Sequence, residues 1–206
     1  LAPLGSTQTG WSAEVSSYGG ADRGYGFAYA PFMPGTHGDN WNYLSRAGGS
    51  VVLWASGDLT VNGTVTATAT CSGWGAPTGG GIWLIGRKTT FGAASKLDAS
   101  GADYTGTGAG GCGGRISICL ADAAGFSGWH GTISARGGDS KAGYKAGRGA
   151  PGTIYLQSAG DGAKSAVTII DNGNLSVNRD SFVELNAANE SAVIGSIVVT
   201  NKGGLV

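Results

Sequence analysis

The sequence predicts an all-β fold, a parallel β-helix in which the chain coils upward by one rung per repeat. Glycine supplies 41 of the 206 residues, and each glycine inside a helix costs about 1 kcal/mol. Short apolar runs that alternate with polar residues recur along the chain, which is the pattern of β-strands. A glycine-led strand template also occurs four times, and repeats of this size are typical of solenoids.

The first 47 residues lack the repeat and are rich in aromatic side chains. Unpaired strand edges invite aggregation, so the end of a solenoid needs a cover. We therefore predict that residues 1–47 form an N-terminal cap over the first rung, and that residues 48–206 form the β-helix.

The template consists of glycine followed by an alternating apolar strand. The first apolar residues of its four copies, Val51, Ile82, Ile116 and Ile154, are 31, 34 and 38 residues apart. Strand length is constant, so the insertions fall in the turns. Parallel rungs stack at about 4.8 Å, and glycine is expected where a turn needs positive φ or where neighbouring rungs press backbone on backbone. The predicted inward ladders are Val51, Leu53, Ile82, Leu84, Ile116, Ile118, Ile154 and Leu156.

A second strand follows each of the first three templates, at residues 59–67, 94–99 and 131–135. These strands share the apolar pairs Val65/Ala67, Leu97/Ala99 and Ile133/Ala135. One predicted unit is therefore strand, short turn, strand and long glycine-rich turn. A β-sandwich is the alternative fold, but it does not predict a repeated Gly-Gly-X-Ile-X-Ile.

Glycine becomes rarer after Ala163, and β-branched residues become more common. Residues 167–170, 175–177, 182–185 and 197–200 are predicted to be shorter and more regular rungs. Leu205 and Val206 fall in what reads as another strand, which suggests a longer parent protein or an end that a partner completes.

Four stretches carry a resemblance to a known family: residues 18–24, 81–84, 110–118 and 131–138. Their pattern resembles the glycine-rich parallel β-helix modules of large secreted or surface proteins of environmental bacteria, which are grouped with pectin-lyase-like right-handed β-helices. The resemblance covers roughly residues 18–160, and Cys112 interrupts the glycine run that usually precedes the Arg-Ile strand. It implies a right-handed coil and an extracellular location, but it transfers no catalytic residues.

The charges add up to zero, with 13 basic and 13 acidic residues. A neutral chain is not a typical nucleic-acid binder, and no apolar run is long enough to insert into a membrane. Basic residues nevertheless concentrate in the middle of the chain. Cations beside an aromatic ring suit an acidic polysaccharide, whereas solvated turn charges are the plainer alternative. The candidate ligand site is the longest glycine-rich turn, with Arg136, Lys141, Tyr144, Lys145 and Arg148.

Three cysteines are present, and no CxxC motif that would indicate a zinc site occurs. Cys71 and Cys112 both lie in glycine-rich segments and are a candidate disulfide. Cys119 ends an apolar strand and is better interpreted as a small, partly buried hydrophobic residue.

Catalysis on polysaccharides would need two carboxylates at a defined separation. Asp98 points outward from its strand, but its counterparts on neighbouring rungs are Thr66 and Ser134. Asp58, Asp122 and Asp161 follow strands, where aspartate commonly caps its own turn. We predict no catalytic residues, no metal and no cofactor.

The sequence favours a non-catalytic extracellular structural or adhesive module that assembles end to end into a filament or matrix. The alternative is a β-helix that binds or cleaves acidic polysaccharides.

Overall fold

A computed structural model of the chain describes residues 28–36, 45–71, 76–104, 110–122, 126, 130–140, 148–164, 166–176 and 194–205. Their regular structure is eleven strands and one short 3-10 helix, η1 (Ala159–Lys164). The strands are β1 (Ser50–Trp54), β2 (Leu59–Val61), β3 (Thr64–Thr66), β4 (Gly81–Gly86), β5 (Thr89–Phe91), β6 (Lys96–Asp98), β7 (Arg115–Leu120), β8 (Thr132–Ser134), β9 (Thr153–Ser158), β10 (Ala166–Asp171) and β11 (Ile194–Thr200).

The strands form three sheets that the chain visits in turn. The long sheet has the order β1-β4-β7-β9-β10-β11, and the two short sheets are β2-β5 and β3-β6-β8. The pairs β1/β4, β4/β7 and β7/β9 are all parallel. The chain thus returns to the same sheet once per turn and forms a β-solenoid of about three turns, which confirms the predicted parallel β-helix.

The inward ladder has the register that the repeat predicts. Val51 pairs with Ile82, Ile82 with Ile116, and Ile116 with Ile154. Ile82 and Ile116 are fully buried, and burying an isoleucine side chain contributes about 1.5–3 kcal/mol. The second ladder, Leu53, Leu84, Ile118 and Leu156, is in register as well.

The β3-β6-β8 sheet closes the core from another side. Val65 pairs with Leu97 and Leu97 with Ile133, as the second-strand pattern predicts. The alanines that follow, Ala67, Ala99 and Ala135, are buried in the same core. The glycines that precede the long strands, Gly48, Gly79 and Gly113, lie against the backbone carbonyls of these alanines.

The glycine pairs are needed for close packing between backbones. A Cβ on Gly79 would collide with the carbonyl oxygen of Ala99, and a Cβ on Gly114 with that of Gly80. The amide of Gly114 donates a 2.7 Å hydrogen bond to Ala99 O. Of the two expected reasons for glycine, close backbone approach applies here. Positive φ is found at one described glycine, Gly173, with φ 56°.

The strand predicted at residues 59–67 is in fact two strands on different sheets. β2 and β3 are separated by a corner at Asn62 and Gly63. β5 was not predicted, and it pairs in parallel with β2, matching Leu59 with Thr89 and Val61 with Phe91. The cross-section therefore has three sides instead of two.

β10 does not continue the stack as a parallel rung, so the prediction of a further rung at residues 167–170 is wrong in its direction. β10 pairs antiparallel with β9, with Val167 opposite Leu156. The connection is η1, which is only six residues long, and parallel strands need a crossover of a dozen or more residues. β11 then pairs in parallel with β10. The predicted rung at 182–185 lies outside the described residues.

Residues 28–36 run across the rungs along the outer face of the long sheet. The rings of Tyr29 and Tyr155 meet edge to face at 6.4 Å. Ser117 Oγ donates a 2.7 Å hydrogen bond to Tyr29 O, and Ser50 Oγ donates one of 2.8 Å to Phe32 O. Further along the segment, the amide of Gly35 donates a 2.8 Å hydrogen bond to Gly48 O, just before β1. The rest of the predicted cap, at residues 1–27 and 37–44, is outside the described part of the chain.

Candidate functional site

The structure describes two of the five residues of the predicted ligand site. Arg136 follows β8, and its Nη1 and Nη2 donate hydrogen bonds of 2.8 and 3.0 Å to the two carboxylate oxygens of Asp103. Arg148 donates from Nε to Asp139 Oδ1 at 2.6 Å. Lys141, Tyr144 and Lys145 lie outside the described residues.

These ion pairs close the base of the glycine-rich turn. The amide of Asp139 donates a 2.7 Å hydrogen bond to Asp103 Oδ1, which links the two pairs into one network. The hydrogen bond to Asp103 raises the pKa of the Arg136 guanidinium, and the negative charges nearby add to it. Arg136 and Arg148 are therefore both paired with carboxylates at the base of the turn.

Asp103 and Asp139 were not predicted as partners of the two arginines, although the register of the repeat indicates that these two aspartates lie together. Lys96 pairs with Thr132 and Asp98 with Ser134, which is an offset of 36 residues. The same offset relates Asp103 to Asp139 and continues to the bridge between Tyr104 and Ser140. The register of the short strands therefore extends into the turn and brings two aspartates together beside two arginines.

Asp98 stands in an outward column with Thr66 and Ser134, as the sequence predicts. Lys96 Nζ lies 2.9 Å from its Oδ2, and the amide of Ser100 donates to Oδ1 at 3.0 Å. Burial raises the pKa of Asp98, but hydrogen bonds from Ser100 and Lys96 outweigh burial and bring it below the ordinary value of 3.8. No second carboxylate belongs to this column, so it lacks the acid pair that glycoside hydrolysis requires.

Two of the three aspartates assigned to turn capping form ion pairs. Arg87 lies 2.6 Å from Asp58 and 3.8 Å from Asp122, so one guanidinium joins the corners of three successive rungs. Asp161 does cap its turn, because its Oδ2 accepts a 2.7 Å hydrogen bond from the amide of Ser158.

The candidate disulfide between Cys71 and Cys112 is not formed in the structure, where all three cysteines are thiols. Cys71 Sγ accepts a hydrogen bond from Ser45 Oγ at 3.6 Å. Cys112 is buried, whereas Cys119 is partly buried and lies 3.5 Å from Ser117 Oγ, consistent with its interpretation as a semi-buried side chain.

The two end strands of the long sheet, β1 and β11, expose large apolar side chains. Val52, Leu53 and Trp54 of β1 are 47%, 37% and 81% exposed. Successive side chains of a strand point to opposite faces, so β1 is exposed on both faces at this end. At the other end, three successive residues of β11, residues 197–199, are likewise exposed.

Of the devices that usually protect edge strands, the end strands carry one, a register shift at Gly195 where β11 pairs with β10. Natural sheets block their edges with lysine, proline or bulges. β1 reads SVVLW and β11 reads IGSIVVT, without a charge or a proline. The described residues thus present two apolar edges at opposite ends of one sheet. Most of the predicted cap over the first rung falls outside the described residues.

In the described part of the chain no helix has the length and apolar character needed to cross a membrane. Comparison of the chain with known protein families, curated proteins and solved structures gives no match.

Proposed function

We propose that this protein is a non-catalytic structural module of an extracellular surface that associates with itself end to end. The observation that carries the proposal is the pair of apolar, uncharged edge strands, β1 and β11, at opposite ends of the long sheet. Such edges are templates for pairing with another chain.

The packing between rungs supports a mechanical role. At Gly79 and Gly114 the backbones of successive turns are in direct contact, and well-packed interiors transmit strain with little compression. A stack of this kind suits a stalk, a matrix or a filament. The extracellular location, the right-handed coil and the relation to pectin-lyase-like modules rest on the sequence resemblance.

The polysaccharide alternative receives less support from the described residues. A site for an acidic glycan needs cations that are available to the ligand, and Arg136 and Arg148 are both engaged by carboxylates. Asp98 has no second carboxylate in its column.

Sedimentation velocity over a wide concentration range tests the proposal. The expected result is a distribution that grows from the 20.4 kDa monomer in whole multiples as concentration rises. Salt screens charge interactions but leaves apolar contacts in place, so the growth should persist at high salt. A single monomeric species at every concentration would overturn the proposal. Depolymerisation of an added uronic-acid polysaccharide by the purified chain would favour the enzymatic alternative.

A further inference from the structure

We infer that the copies join through one head-to-tail junction, in which β11 of one copy pairs antiparallel with β1 of the next. The inference rests on the proposed end-to-end association and specifies its interface. It follows from strand direction, from the faces on which the exposed side chains lie, and from charge.

The directions of the strands determine how β11 of one copy can pair with β1 of the next. β1, β4, β7 and β9 all run the same way, β10 runs opposite to β9, and β11 follows β10. β11 is therefore antiparallel to β1. When two copies stack in the same orientation along the solenoid axis, β11 of one meets β1 of the other as an antiparallel pair, which is slightly more stable per residue than a parallel pair.

The exposed side chains lie on matching faces. Val51 and Leu53 belong to the inward ladders, so Val52 and Trp54 point to the outer face. On β11, Val198 pairs with Ile169, which is opposite Ile154 of the inward ladder. Its neighbours Ile197 and Val199 therefore share the outer face. A head-to-tail junction places the outer apolar side chains of both copies on one continuous surface.

One register of the β11/β1 pair matches apolar side chains on both the outer and the inward face. With Val52 opposite Ile197, Trp54 lies opposite Gly195, the residue at which the pairing of β11 with β10 shifts register. Trp54 is 81% exposed, and an aromatic side chain covers a cross-strand glycine well. On the inward side the same register sets Val51 against Val198 and so extends the core ladder by one rung.

Charge and symmetry favour a second copy in this arrangement. The chain has no net charge, so copies approach without the repulsion that keeps charged proteins apart. A two-fold junction of β1 with β1 would close the assembly and leave β11 exposed. The head-to-tail junction covers both edges with one kind of contact.

Two edge-blocking variants test the junction. Val52→Lys blocks β1, and Ile197→Lys blocks β11; both residues are exposed on the outer face, so neither lysine becomes buried. Each variant alone should sediment as a monomer, and their equimolar mixture should give a dimer of doubled mass and no larger species. Thr90→Lys, at an exposed position on β5, is the matched control and should assemble like the unchanged chain.

Other outcomes overturn the junction in distinguishable ways. A dimer of Val52→Lys alone would indicate β11 with β11, and a dimer of Ile197→Lys alone would indicate β1 with β1. A mixture that stays monomeric while the unchanged chain assembles would exclude the pairing of β11 with β1. Each of these three results would contradict the junction but not the proposed end-to-end association. If the unchanged chain does not associate at all, the proposed function itself is wrong. Circular dichroism checks folding, and Trp54→Lys and Val199→Lys replace any variant that does not fold.

Discussion

Ile116 occupies the middle of the inward ladder, between Ile82 on the preceding rung and Ile154 on the next. It is fully buried, and no rung can bury its inner face alone. Stability therefore depends on single side chains whose loss affects both neighbouring rungs.

Replacing Ile116 with alanine should lower the free energy of unfolding by about 3 kcal/mol, because it leaves a cavity between two rungs. Chemical denaturation of dilute monomer measures the change. Val52→Ala is the matched control, since Val52 is 47% exposed, and should change stability by less than about 0.5 kcal/mol. Equal effects at the two positions would contradict the inward ladder.

Asp98 gives stability a defined pH dependence. Its pKa in the folded state lies below the ordinary value of 3.8, so the fold favours the carboxylate over the acid. The contribution is therefore complete above the pKa of the unfolded chain and is lost as pH falls through the lower pKa of the folded state.

Asp98→Asn should be less stable than the unchanged chain at neutral pH, because it loses the ionic contact with Lys96. The difference should shrink as the pH falls below 3.8. Denaturation curves of both proteins across this range test the expectation. A difference that stays constant down to the lowest pH would show that the carboxylate does not act through its charge.

At the scale of elements, the glycine pairs set the distance between rungs. The amide of Gly114 donates to Ala99 O at 2.7 Å, and a Cβ on Gly114 would press into the carbonyl of Gly80. Backbone atoms cannot rotate away as the end of a side chain can. The close approach therefore has to be relieved by moving a rung.

Gly114→Ala should consequently lower the free energy of unfolding by about 3 kcal/mol through overpacking. Gly49→Ala is a close control, because a Cβ on Gly49 meets nothing within 4 Å, and it should shift stability by about 0.5 kcal/mol or less. Thermal unfolding of the two variants side by side measures both effects. Similar melting temperatures would indicate that the rungs are not in backbone contact at Gly114.

The elements that the sequence predicts well are those with a repeated template. The glycine-led template fixes both the face and the phase of each long strand, so the pairing of Val51, Ile82, Ile116 and Ile154 follows from aligning its four copies. The corner at Asn62 and Gly63 was missed because apolar alternation continues on both sides of it. Alternation also carries no information on direction, which explains the error on β10. The length of the connection, the six residues of η1, was the available signal.

The candidate site was less predictable because it depends on partners far apart in sequence. Arg136 and Arg148 stand out as cations, yet Asp103 and Asp139 determine what they do. Those partners follow only from the register of the short β3-β6-β8 sheet. Exposure of β1 was likewise not predictable, because its sequence resembles that of the buried strands.

At the scale of the whole molecule, the proposed function depends on the two apolar edge strands, β1 and β11. A solenoid that keeps stacking through its copies needs no further binding site to form a rod, and its length is set by concentration. The same edges explain why net zero charge matters, since a strongly charged chain would resist association.

Fibre diffraction from aligned assemblies of the unchanged protein tests the central claim most directly. If copies continue the stack of rungs from β11 to β1, the strands lie across the filament and the pattern has a reflection near 4.8 Å along the filament axis. Filaments whose strand reflection lies away from that axis would contradict end-to-end stacking, as would a solution that never yields filaments.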